Sequence, residues 1–327
     1  MMLDAAIIGM GRWGRTLVDS VQGKNGSGIR FVAGCTGTPD KARGYAAEKG
    51  ITLHDGLEPI LADRSIGAIV LATPHAQHAE QVIAAAAAGK HVFVEKPFTL
   101  TQASAQAAVD ACRKAGVVMA LGHNRRFLPA VAEMKSILAS GKLGTLLHVE
   151  GQFSGPGGFT FQPGGWRADR AESPLGGMGG MGIHMIDLII SLAGRFQDVR
   201  VLSKARVLDT IDDTTAMLAT LESGATCTFA TLGAATRYWR CALFGSDGLV
   251  ELRGHEQLFF RAREGGEEWT RDYPVTDIER AELEAFAAAV AGGPEYPLPL
   301  DEAIHGVAVF ETMIGAAASG SAYAVPA

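Results

Sequence analysis

Glu95-Lys96-Pro97 follows directly on an apolar run at residues 91–94. A lysine at the C-terminal edge of a parallel strand stands where open α/β sheets bind ligands. Partly desolvated there, its amine can exchange a proton with a substrate hydroxyl during hydride transfer, whereas a lone lysine is a surface charge. Gly9-Met10-Gly11-Arg12-Trp13-Gly14 has the glycine spacing of a dinucleotide-binding turn. Gly9 permits the tight turn, Gly11 lets the backbone approach a pyrophosphate, and Gly14 lets helix and strand pack closely, with the helix N-terminus facing the phosphates. Arg12 and Trp13, inside that turn, are candidate cofactor contacts. His184 and Asp187 lie three residues apart on a predicted helix, so they share a face and could interact. His75 and His78 are spaced like a pair of metal ligands, but no third or fourth ligand stands nearby in the sequence and no metal is expected.

These groups need elements to hold them. The runs at residues 5–8, 31–35, 68–71, 91–94 and 117–121 are short, apolar and bounded by Gly, Pro or polar residues. A helical pattern follows the first through Leu17, Val18 and Val21, and others fill residues 75–88 and 101–115, ending at Gly89 and Gly116. Strands so continuously hydrophobic, separated by helices, are buried on both faces and therefore parallel. The pattern predicts a dinucleotide-binding Rossmann domain over residues 1–123. Beyond Gly122 come a helix near 129–140, a strand at 145–153 and a Gly/Pro-rich segment at 154–180. Strand-like runs follow at 199–207, 214–221, 225–232, 239–244 and 258–263, and helices near 279–291 and 301–318 close the chain. Consecutive strands with short turns predict antiparallel pairing. The expected fold class is α/β plus α+β. An N-terminal Rossmann doubly wound parallel sheet precedes a C-terminal open, mostly antiparallel sheet with helices on one face, and residues 124–327 form the second, α+β domain.

The 327 residues suggest two domains, and 47% hydrophobic content suits a globular chain. A formal charge of −6 without a basic run argues against nucleic acid as a partner. No apolar stretch approaches the ~20 residues of a membrane helix, and the basic, apolar and cleavage regions of a signal peptide are not in order, so the expectation is a cytoplasmic protein. Cys35, Cys112, Cys227 and Cys241 lack Cys-x-x-Cys spacing and read as buried free thiols. The second strand ends at Cys35-Thr36-Gly37-Thr38, where an NAD site usually offers Asp or Glu to the ribose hydroxyls. Thr36 and Thr38 could instead bind a 2′-phosphate that Lys41 or Arg43 neutralises, which favours NADP over NAD unless both cations are merely solvated helix residues.

The order of these motifs resembles the glucose-fructose oxidoreductase / inositol dehydrogenase (Gfo/Idh/MocA) family. The resemblance rests on the glycine turn, Ala72-Thr73-Pro74 with His78, and Ala88-Gly89-Lys90-His91-Val92 through Glu95-Lys96-Pro97. Gly182-Ile183-His184 with Asp187 and the Pro-Leu-Pro-Leu-Asp-Glu-Ala segment at 297–303 extend it over nearly the whole chain. It implies an NAD(P)-dependent dehydrogenase or reductase that moves a hydride between nicotinamide and a secondary alcohol or ketone. The substrate would be a sugar, polyol or cyclic diol seated between the domains. The resemblance makes Lys96 the catalytic lysine, Glu95 and Pro97 its flanking positions, and His184 the histidine that completes the site. It puts Thr73, Pro74, His78 and Glu95 beside the cofactor. Asn124-Arg125-Arg126-Phe127 resembles the family's hinge segment, where Asn124 and Arg126 would reach the substrate, a guanidinium there binding an anionic group or bridging the domains. Trp166-Arg167 resembles the element beside the active cleft, and Phe153, Phe159 and Phe161 could wall a ring-shaped substrate or fill the core. It also implies that residues 124–327 are the substrate-binding and oligomerisation domain, with a homodimer or homotetramer through the C-terminal sheet. One position departs: family enzymes commonly carry Asp four residues before the histidine, where this chain has Gly180. Its loss leaves a non-catalytic dinucleotide sensor as the competing class, against which Glu95-Lys96-Pro97 and His184 argue.

Overall fold

Apolar runs too short for helices alternate with alanine-rich stretches in the N-terminal part, and the chain forms strands and helices in that order. A computed structural model describes residues 2–162 and 164–327. The first sheet and its helices comprise β1 (Leu3–Ile8), α1 (Arg12–Val21), β2 (Ile29–Cys35), α2 (Pro39–Lys49), β3 (Thr52–Leu53), α3 (Leu57–Ala62), β4 (Ala68–Leu71), α4 (His78–Ala87), β5 (His91–Val94), α5 (Gln102–Ala115) and β6 (Met119–Leu121). All pairs are parallel, in the order β3-β2-β1-β4-β5-β6. This is the expected doubly wound sheet. Its strand order reverses between β1 and β4, which makes their C-terminal ends the switch point where such sheets take ligands. The predicted helix at 75–88 opens as a 3₁₀ turn, His75–Gln77, before α4 begins.

The later elements are α6 (Pro129–Ala139), β7 (Leu146–Ser154), α7 (Ile183–Ala193), β8 (Phe196–Lys204), β9 (Thr214–Leu221), β10 (Thr226–Leu232), β11 (Tyr238–Gly245), β12 (Gly248–Arg253), β13 (Gln257–Ala262), β14 (Glu268–Asp272), α8 (Ile278–Val290), α9 (Leu300–Ser319) and β15 (Tyr323–Ala324). Nine strands make the second sheet, β14-β13-β12-β11-β7-β10-β9-β8-β15. Their pairing is antiparallel, as expected, except that β7 and β10 run parallel. No hairpin joins that pair: the chain leaves β7 through the Gly/Pro-rich segment and α7, and enters β10 only after β8 and β9. β9 alternates buried and open residues along its length, the mark of a sheet covered on one face. Gly151 of β7 admits α7 closely, because a Cβ there would lie 2.7 Å from Met185 Cγ.

Two compact units result: one runs to Asn124 and takes in Asp277–Leu300, the other is Arg125–Thr276 with Asp301–Ala327. The sequence had placed 277–300 in the second domain; the structure counts it with the first. The reason is packing. Phe286 of α8 is fully buried with its ring 5.9 Å from that of Phe93 on β5, and Glu284 Oε2 accepts the Gly28 N–H at 2.7 Å. The four cysteines are free and buried, and among the described residues no helix is long and apolar enough to cross a membrane.

Candidate active site

Each glycine of the turn has a separate steric reason. Gly9 has φ +96°, and a Cβ there would lie 2.5 Å from the Ala72 carbonyl oxygen, so both backbone and space demand glycine. At Gly14 a Cβ would come within 2.0 Å of the Gly9 carbonyl oxygen, which is the close helix–strand approach read from the sequence. At Gly11 it would meet nothing within 4 Å. No side chain caps the N-terminus of α1, where Gly11 is the cap residue. Open space beside first-turn N–H groups without a capping side chain fits a pyrophosphate, and with it the dinucleotide of an NAD(P) enzyme. Arg12, the first residue of α1, is exposed.

Thr36 is half-buried and Thr38 exposed in the loop between β2 and α2. Arg43 pairs with Asp40 at 3.0 Å, both exposed. Sequence reasoning missed Arg15. Its Nη2 donates to the Lys41 carbonyl at 2.6 Å and its Nε to the Met10 carbonyl at 3.3 Å, so it ties α2 to the glycine turn.

Lys96 leaves the end of β5 half-buried, and its Nζ lies 5.9 Å from the centre of the Trp13 ring on α1. Glu95 is buried beside it, with Oε2 accepting the Lys96 backbone N–H at 3.3 Å. Burial pushes its carboxyl up to about 7, against the opposing pull of the Lys96 ammonium and the Trp13 indole N–H. Thr73 Oγ1 donates to Gln81 Oε1 at 2.6 Å, and Pro74 is half-buried beside it. His78 is fully buried, with both ring nitrogens on backbone carbonyls. Asn124 is likewise interior, its Nδ2 donating to Glu279 Oε1 at 3.0 Å.

In the second unit, α7 carries His184 into a buried position next to β7. Arg125 Nη1 lies 3.2 Å from His184 Nε2, and its guanidinium carbon 5.4 Å from the centre of the Phe153 ring. A guanidinium only donates, so Nε2 accepts and a neutral His184 carries its proton on Nδ1. The Phe153 and His184 rings are 6.3 Å apart. Phe153 is thus the aromatic brought to the histidine, while Phe159 is exposed and Phe161 half-buried in the following segment. His255 borders the same arginine. Burial first, then the Arg125 charge, hold its imidazole below the usual range, with Glu256 opposing.

Asp187 meets Arg126. Its carboxylate takes Arg126 Nε and Nη2 at 2.7–3.0 Å, and Glu302 Oε2 accepts a further bond from Nη2 at 2.7 Å. The Arg126 side chain is 2% exposed, so this guanidinium lies at the centre of a buried ion-pair cluster. Arg125, one residue earlier, is the cation at the histidine; the two are indistinguishable by type, and only the facing of the 3₁₀ turn Asn124–Phe127 separates them. Arg167 is exposed, and the side chain of Trp166 lies outside the described residues. Gly180 sits in a π-helical turn, Met178–Gly182, and a Cβ at 180 would meet nothing within 4 Å. Among the described residues no group of three or more His, Cys, Asp or Glu could hold a metal, His75 and His78 included.

The chain matches two family patterns. Residues 3–123 match one described as an oxidoreductase family with an NAD-binding Rossmann fold, and residues 131–251 match the GFO/IDH/MocA C-terminal domain. An uncharacterized oxidoreductase of Streptococcus pneumoniae is 27% identical over 301 residues, covering 86% of this chain and 80% of that one. The scyllo-inositol 2-dehydrogenase (NAD(+)) of Bacillus subtilis is 33% identical over 153 residues, 45% of this chain and 43% of the relative's length. Among solved structures, the aldose-aldose oxidoreductase of Caulobacter crescentus superposes with a TM-score of 0.87 at 24% identity, over 99% of this chain and 100% of that one, a likeness of fold.

Proposed function

Because this chain belongs to the Gfo/Idh/MocA oxidoreductase family, we propose that it is an NAD(P)-dependent dehydrogenase or reductase. Its substrates are secondary alcohols and ketones of sugars, polyols or cyclic diols. The observation that carries this reading lies within one unit: an N-terminus of α1 with no side-chain cap and space at Gly11, beside a strand-end lysine whose amine is 5.9 Å from the Trp13 ring of the same helix. The first unit takes the dinucleotide and the second supplies substrate contacts. A relative named for oxidising scyllo-inositol supports a cyclic polyol as substrate.

The bound nicotinamide supplies the hydride acceptor or donor. Lys96 Nζ holds the proton that leaves or joins the substrate oxygen. A neutral Glu95 adds no charge beside that amine and eases its deprotonation, whereas an ionised Glu95 favours the ammonium. His184 orients the reacting oxygen or shares its proton, and Arg125 fixes the ring. Arg12, Thr36, Thr73 and Pro74 line the dinucleotide, and the acid-free end of β2 with Thr36, Thr38, Lys41 and Arg43 favours NADP. Arg167 contacts the substrate. Free buried cysteines suit the cytoplasm. Leu202, Leu218 and Tyr238, 70%, 51% and 50% exposed on strands of the second sheet, support self-association into a homodimer or homotetramer.

Titration with NADPH and NADH, followed by turnover of scyllo-inositol, levoglucosan and a cyclic dihydrodiol read by nicotinamide absorbance, tests the reading. Lys96→Ala abolishes turnover and leaves cofactor binding intact; an unchanged kcat removes Lys96 from the chemistry. A chain that binds dinucleotide and turns over none of these substrates is a sensor.

A further inference from the structure

The imidazole of His78 occupies a position that the dinucleotide reading does not explain. It is fully buried at the start of α4. Nδ1 lies 3.0 Å from the Pro97 carbonyl oxygen and 3.1 Å from that of Phe98, while Nε2 lies 3.0 Å from the carbonyl oxygen of Thr73. Thr73 belongs to the loop after β4, and Pro97 and Phe98 belong to the segment after β5 that carries Lys96. One ring therefore joins the two strand-end loops, contacting the residues immediately after Lys96.

From this geometry we infer that His78 is a positioning residue for Lys96, acting through the Pro97 and Phe98 carbonyls. The inference rests on the proposed acid–base role of Lys96. A backbone carbonyl only accepts, so each contact needs a proton on the facing nitrogen, and a neutral ring has one proton to give. Two carbonyls face Nδ1 and one faces Nε2. Burial holds the imidazole below its usual range and keeps it neutral. The proton then belongs on Nδ1, bonded to the lysine-bearing segment. An acid–base group must be held to within a fraction of an ångström of its productive place, and a displacement of about 1 Å costs up to ~10²-fold in rate.

Two substitutions divide the ring's contacts. Asparagine places its amide near Nδ1 and keeps the Pro97–Phe98 side, whereas glutamine reaches towards Nε2 and keeps the Thr73 side. In the full chain, both are compared with wild type by acetic anhydride labelling of Lys96 across pH, quantified by mass spectrometry with exposed Lys41 as internal standard. Kd for NADPH and kcat on the fastest substrate of the panel are measured alongside. The expected result is a Lys96 labelling profile displaced in His78→Gln and near wild type in His78→Asn. Where a substrate turns over, kcat falls roughly 10- to 100-fold in His78→Gln at unchanged NADPH affinity, with partial rescue in His78→Asn. Wild-type labelling and kcat in both variants overturn the inference, as does a greater loss in His78→Asn. A structural role alone lowers thermal stability in both without displacing the Lys96 profile. Should neither variant fold, ¹⁵N shifts of the wild-type imidazole decide: a proton on Nδ1 upholds the inference and a proton on Nε2 overturns it. Lys96→Ala keeps the two readings apart, since turnover in that variant removes the acid–base role, whereas its loss alongside unaltered His78 variants removes only the positioning role.

Discussion

Glu95 and Arg126 show two opposite ways for a buried charged residue to exist. Glu95 is pushed up to about 7 from 4.5, so between those values it stays protonated in the fold while the unfolded chain releases its proton. The unfolded state then binds fewer protons, and stability falls as pH rises through this window. Glu95→Gln should flatten that fall, read as urea midpoints between pH 4.5 and 7; an unchanged slope assigns it to other groups. Arg126 instead keeps its charge against burial because Asp187 and Glu302 surround it. Arg126→Ala leaves Asp187 buried without that partner and should cost about 3–5 kcal/mol, while the paired change Arg126→Met with Asp187→Leu recovers most of it. Thermal melts of wild type and the two variants check this. Sequence spacing suggested that Asp187 could turn to His184, since i, i+3 residues share a face. Spacing along one helix says nothing about a guanidinium arriving from another segment, and that tertiary contact prevailed.

The glycine turn was legible because each of its constraints is local. Gly9, Gly11 and Gly14 act within one strand–turn–helix unit, and their roles follow from geometry that any such unit shares. Those roles make separable predictions. Gly14→Ala drives a methyl into the Gly9 carbonyl and should destabilise the chain by about 1–3 kcal/mol, whereas Gly11→Ala meets no neighbour and should leave the melting temperature near wild type. Gly11→Ala should instead weaken dinucleotide binding by fluorescence titration; equal affinity would show that the cofactor passes elsewhere. The parallel β7–β10 pair was not legible, because short turns between consecutive strands report only neighbours in sequence. β12 and β14 were also missed: their runs are short, and β14, Glu-Trp-Thr-Arg-Asp, is almost wholly polar at the sheet edge.

At the scale of the whole molecule, the helix at 278–290 was found within a residue or so, but its allegiance was not. Its apolar face fits any helix-covered sheet, and which sheet it covers is decided by Phe286 meeting Phe93 and by Glu284 meeting Gly28, contacts between residues far apart in the chain. A fragment ending at Asn124 should therefore expose Phe93 and aggregate or melt early, while the same fragment joined by a linker to residues 277–300 should fold cooperatively, as read by calorimetry. Equal behaviour would make α8 dispensable. The open space at a Gly180 Cβ bears on which residues the position can accept. Two of the four glycine codons become aspartate by a single nucleotide change, and the Cβ that such a change adds would meet nothing within 4 Å. Aspartate is thus reachable here in one mutational step, with room for its first side-chain carbon.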